Sequence, residues 1–154
     1  MVPEGELAYI ELPAEADAPG MCRRLRHWLY GMRPAASAWE KNYTDRLESI
    51  GFVRGLAAPT AFYNAALDCS CVVHGDDFTF LGFDEDLLEI ANSMRGWYEL
   101  KVRGILGEAA GDVKSIAILN RELSWSHESL EYEADRKHAQ IIIEEMELTE
   151  DSRG

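Results

Sequence analysis

Two short apolar runs separated by a reversal, at residues 69 to 81, limit what this chain can fold into more than any other feature. Cys69-Ser70-Cys71-Val72-Val73 leads into His74-Gly75-Asp76-Asp77, and Phe78-Thr79-Phe80-Leu81 leads out. A glycine-assisted reversal between β-prone runs predicts a hairpin whose tip presents Asp76 and Asp77 together. Hard divalent cations prefer carboxylate oxygens and keep waters or substrate phosphates as their other ligands. Paired acids on stiff strands therefore suit metal-assisted phosphoryl chemistry. The same tetrapeptide also suits a solvated turn, where Gly and Asp are common for conformational reasons alone.

The chain has 154 residues, enough for one domain with a real core. Its residues are 47% hydrophobic and 28% charged, as in folded globular proteins. No apolar run approaches the roughly 20 residues needed to cross a bilayer. The opening segment, Met1-Val2-Pro3-Glu4-Gly5-Glu6, is acidic and lacks a basic-then-apolar signal pattern. Cys22, Cys69 and Cys71 match no zinc spacing, and Cys69 and Cys71 alternate along one strand toward one face. Reduced, buried thiols and a cytoplasmic or nuclear location are expected.

A net charge of −13 opposes nucleic-acid binding by the chain as a whole. Local contact is left to Arg23, Arg24, Arg26 and Arg33, interleaved with His27, Trp28 and Tyr30. That stretch reads equally as a phosphate-contacting patch or as a solvated loop balancing nearby acids.

Along the chain, 7–12 predicts a strand and 13–20 a loop. A helix is expected over 34–50, with Gly51 as its stop. Ala36, Trp39, Tyr43, Leu47 and Ile50 recur at helical steps on one face, with Glu40, Lys41, Asp45 and Glu48 on the other. The aromatic stripe reads as core. A turn-rich linker over 54–60 and a strand over 61–64 precede the hairpin. A second helix starts at Asp84, its N-cap candidate, with Leu87, Leu88, Ala91, Met94 and Trp97 inward. Strands follow over 98–103, 114–125 and 130–132, then a helix over 135–147 with Ala139, Ile142, Ile143 and Met146 inward. The last six residues, 149–154, predict a disordered tail. This order implies an α+β fold, antiparallel sheet with helices packed on one face, in a ferredoxin-like arrangement.

Five landmarks in this order resemble one known family. Leu29-Tyr30-Gly31-Met32-Arg33-Pro34-Ala35-Ala36-Ser37-Ala38-Trp39 resembles the L-Y-G-L-K-Q-x-P-R-x-W segment of reverse transcriptases from Ty1/copia-type retrotransposons. Residues 47–62, with Gly51-Phe52 and Pro59-Thr60, are similar to that family's L-x-x-x-G-F-x-x-x-x-x-D-P-S/T-x-F stretch. Val72 to Asp77 falls where the family has its Y-V-D-D catalytic hairpin. Ile118 to Leu123 resembles F-L-G-I-E-I, and Tyr132 to Met146 resembles the family's closing helix. The match spans 7–148, read as a partial palm domain.

The resemblance implies an RNA-directed DNA polymerase, a nucleotidyltransferase joining dNTPs to a DNA primer along an RNA template with Mg²⁺ or Mn²⁺. Asp76 and Asp77 would be metal ligands and catalytic, Asp77 the weaker of the two; Arg33 would contact a phosphate or pack beside the incoming nucleotide, and Gly31 and Gly75 would be points of close backbone approach. It departs at Pro34 for glutamine, Ala58 for aspartate and His74 for tyrosine. Tyr9 to Pro13 resembles the family's Y-M-E-Q-P, which follows its first catalytic strand. The chain is thus expected to begin inside the palm, without that strand or the fingers, and to be inactive alone. Self-association through the exposed sheet edge is then expected. The competing expectations are a non-catalytic relic acting as an acidic interaction module, and a structural cation site at the hairpin.

Overall fold

The computed structural model describes residues 2, 7–16, 20–127, 129–133 and 136–147. Among them the chain is mixed α+β, with three antiparallel sheets and three α-helices. Its contacts divide it into two compact units, residues 1–87 and 88–154.

In the first unit, β1 (Tyr9–Glu11) and β2 (Cys22–Arg24) form an antiparallel pair. Helix α1 (Arg33–Ser49) follows, with Pro34 in its first turn, where an N–H has no partner to lose. Gly51, at φ +92°, ends it. Asn64, buried, then serves two breaks at once. Its Nδ2 donates to the Ile50 carbonyl at 3.0 Å, while its Oδ1 accepts the Ala66 and Leu67 N–H groups at 3.0 and 3.3 Å.

Four strands form a meander in the order β3 (Val53–Arg54), β4 (Ala61–Asn64), β5 (Cys69–His74), β6 (Asp77–Leu81). Register places Phe62 against Cys71 and Cys71 against Phe80. That row, with Val73 and Phe78, faces α1. Tyr43 lies 6.0 Å from Phe62 and 5.9 Å from Phe78, ring to ring and edge-on. Such pairs add to area burial because each positive ring edge meets a negative face. Tyr43, Leu47, Phe52, Phe62, Cys69, Cys71 and Val73 are all buried. The opposite face carries Val53, Tyr63, Val72 and Leu81, all exposed. The sheet is covered on one side only.

Helix α2 (Asp84–Arg95) crosses from the first unit into the second. The second unit holds β7 (Ser115–Ile118), β8 (Arg121–Trp125), β9 (Leu130–Glu133), in that order in one sheet, and α3 (Arg136–Glu145).

Several expectations are corrected. Val53–Arg54 is a strand, where Arg54 was expected to open a linker, because its pairing with β4 is tertiary and leaves no local signal. Residues 98–103 form no strand: the Trp97 and Tyr98 N–H groups bond back to the Met94 carbonyl at 3.0 and 2.9 Å. The expected strand over 114–125 is two, joined at Leu119-Asn120. On α1, Ala36 is exposed and Glu40 half-buried. On α2, Leu88 is 54% exposed and Ile90 is buried instead. The face of α3 expected inward, Ala139, Ile142, Ile143 and Met146, is exposed. Cys22 is exposed, so buried thiols hold only for Cys69 and Cys71. The tail 149–154 lies outside the described residues. No helix among them is long and apolar enough to cross a membrane.

Leu119 and Asn120 take φ of +51° and +62°, both left-handed, as a two-residue type I′ turn requires. A leucine there crowds its Cβ against the following carbonyl. Leu119→Asn is expected to raise stability by about 1 kcal/mol, read from the urea midpoint; an unchanged or lower midpoint would contradict this turn.

Burial pushes the Cys71 thiol up to about 12, with Cys69 nearby adding to it. The folded value lies above the unfolded one of 9.0. Stability is therefore complete below pH 9 and is lost as pH climbs toward 12. Cys71→Val is expected to flatten that alkaline decline, measured by denaturation at stepped pH.

Candidate functional site

The β5–β6 hairpin closes as the sequence predicts. His74 pairs with Asp77, leaving Gly75-Asp76 as a two-residue turn. Gly75 has φ +63°, and Asp76 is not left-handed, the pattern of a type II′ turn with glycine first. Asp76 and Asp77 are both exposed at the tip. Side chains alternate along the strands, and Cys71, Val73, Phe78 and Phe80 face α1. Asp77 therefore stands on the uncovered face, directly across from His74. The imidazole and carboxylate are cross-strand neighbours, about 5 Å apart at Cβ.

Helix α1 holds this tip. The Trp39 indole Nε1 donates to the Gly75 carbonyl at 2.7 Å, and its ring lies 6.1 Å edge-on from Phe78 and 5.7 Å from Tyr43. A tryptophan N–H near a packed surface needs an acceptor, and the turn carbonyl supplies one. This role is absent from the sequence reading, which takes Trp39 only as core. An N–H donor one helical turn before the buried Tyr43 was the available sign.

Arg33 is the first residue of α1 and is exposed. Gly31, two residues earlier, has φ +88°. A Cβ built at Gly31 or Gly75 would meet nothing within 4 Å, so both glycines serve backbone conformation rather than packing within this chain. The fold thus joins Gly75, Asp76 and Asp77 to the helix that begins with Arg33, through Trp39. No bond of Arg33 to the tip is part of that link.

Below the tip, Arg54 of β3 pairs with Glu40 of α1 and donates from Nε to the Pro59 carbonyl at 2.7 Å. Ser37, Lys41, Thr44 and Asp45 complete an open depression of about 360 Å³ there. Among the described residues, no group of three or more His, Cys, Asp or Glu side chains could hold a metal ion. In comparison with known proteins, no family model, no curated protein and no solved structure matches this chain.

Trp39→Phe keeps the ring edge but loses the indole N–H. It is expected to cost about 1 kcal/mol in chemical denaturation and to speed amide exchange at residues 74 to 77 above the rest of the sheet. Exchange unchanged at the tip would show that the bond does not hold the turn.

Proposed function

We propose that this chain is a palm segment of an RNA-directed DNA polymerase of the Ty1/copia type, its sheet and α1 belonging to a ferredoxin-like palm. The reading is supported chiefly by one juxtaposition. The two segments most similar to that family, 29–39 and 72–77, are far apart in sequence and meet at the Trp39–Gly75 hydrogen bond. A helix that supports a carboxylate-bearing turn suits templated nucleotidyl transfer, where catalysis is positioning and electrostatics.

A two-Mg²⁺ centre asks more of the hairpin tip than its donors supply. Two exposed carboxylates on one turn are the acidic groups at the tip, and the described residues hold no set of three donors. Two hard cations need more anionic oxygen than this. The residues do not fit a two-metal centre unaided, and no transfer step follows from them. Asp76 and Asp77 would contribute to such a centre once a further carboxylate joined them. Arg33 would meet a phosphate of dNTP, primer or template, with Gly31 and Gly75 leaving room for close backbone approach.

The net charge of −13 favours a second reading, an acidic interaction module without catalysis. The coding sequence upstream of Met1 separates the two. An in-frame D-V-x-x-A-F segment supports the polymerase reading, and an unrelated frame there sinks it.

Purified chain is expected to give no primer extension with Mg²⁺ or Mn²⁺. Mg²⁺ should shift Tm by less than about 1 °C, since weak binding to the folded state stabilises little. A rise of several degrees that Asp76→Asn abolishes would mean a structural cation site, and incorporation by the chain alone would refute the need for a further ligand.

A further inference from the structure

Two features of this fold carry charge in the wrong place, and each is what the other lacks. The first is the β1–β2 pair. Residues 21–33 hold Arg23, Arg24, Arg26 and Arg33 and no carboxylate, in a chain with 28 acidic residues. Tyr9 pairs with Arg24, and the Leu25 N–H donates to the Ala8 carbonyl at 2.8 Å, one residue before the bend at Arg26. Cross-strand pairing places Tyr9 and Arg24 on one face, with Leu7 and Arg26 exposed just beyond the paired residues. That face is open: Leu7 is 65% and Tyr9 55% exposed. Among the described residues, none of the four arginines makes a side-chain hydrogen bond or ion pair.

The second is the C-terminal end of α3. The helix dipole leaves partial negative charge there, which favours cations. Here the last turn carries Glu144 and Glu145 and no basic residue. Glu147 follows two residues later. Beside these acids Ile142 of α3 and Met146, just past its end, are exposed at 53% and 64%. Like charges and carbonyl ends crowd together with an apolar flank beside them.

We propose that the acidic end of α3 in one copy docks on the arginine face of β1–β2 in a second copy, reciprocally, giving a two-fold dimer. Charge complementarity selects the occupant. Guanidiniums would neutralise the carboxylates and the dipole end together, while Leu7 and Tyr9 cover Ile142 and Met146. Reciprocity doubles a contact that is small when made once and closes the assembly. The inference is independent of the polymerase reading.

The test uses the full chain and light-scattering mass after size exclusion. At about 50 mM salt the mass should rise from monomer to dimer as concentration increases from about 10 to about 500 µM, and about 500 mM salt should weaken association about tenfold or more. Arg24→Glu with Arg26→Glu should be monomeric, as should Glu144→Lys with Glu145→Lys. All four positions are exposed, and far-ultraviolet circular dichroism would verify that each variant folds. An equimolar mixture of the two variants should recover a mixed dimer, one contact keeping the original charges and the other carrying them exchanged. A monomer throughout the concentration range overturns the proposal. So does a dimer that either variant leaves intact, or a mixture that stays monomeric. Charge coupling between the two sites that does not vary with concentration would place the contact within one chain and also overturn it.

Discussion

The first unit depends on how one helix grips one hairpin. Tyr43 and Leu47 bury the apolar row of β4, β5 and β6, but burial alone would leave the far end of β5–β6 free to splay. The Trp39 indole removes that freedom by taking the turn carbonyl as its acceptor. A single bond of this kind contributes only about 1 kcal/mol net. Its importance is positional, since it acts at the end of a lever whose other end is clamped by the core. Asn64 does the corresponding work at the opposite end of α1, tying the helix exit to the β4–β5 turn. Between them these bonds tie both ends of the helix to the meander.

Much of this was legible in the chain. The hairpin declared itself through Cys69 to Leu81, because apolar alternation and Gly75 act over a few residues. Helix α1 was legible to within one residue, since Pro34 and Gly51 are local stops. What escaped depends on distant partners. Val53–Arg54 is a strand only because β4 lies beside it. Ile90 rather than Leu88 turned inward because burial on α2 follows its tertiary surroundings, and the helical repeat allowed either. Leu119 hid a turn because leucine is among the last residues expected at positive φ, while the sign was the Asn120 beside it.

The candidate site was legible in part for the same reason. Asp76 and Asp77 sit at the tip that the sequence placed them on, because tip residues are fixed by the turn itself. Their chemical context was not readable. Which face Asp77 occupies, that His74 stands across from it, and that α1 supports the turn from the other side all follow from register and packing. Resemblance supplied roles for Arg33, Gly31 and Gly75, and geometry accounts for the glycines by backbone conformation.

The two-residue length of the Gly75-Asp76 connection has an evolutionary corollary. A slip of β6 by one residue against β5 would invert the facing of everything after the bend, driving Asp77 and Thr79 toward the aromatic interior and expelling Phe78 and Phe80. Substitution at Asp76 leaves that pairing untouched, whereas the positive φ of Gly75 holds the first position of the bend to glycine. Drift in this lineage should alter the chemistry of the tip long before it alters its spacing.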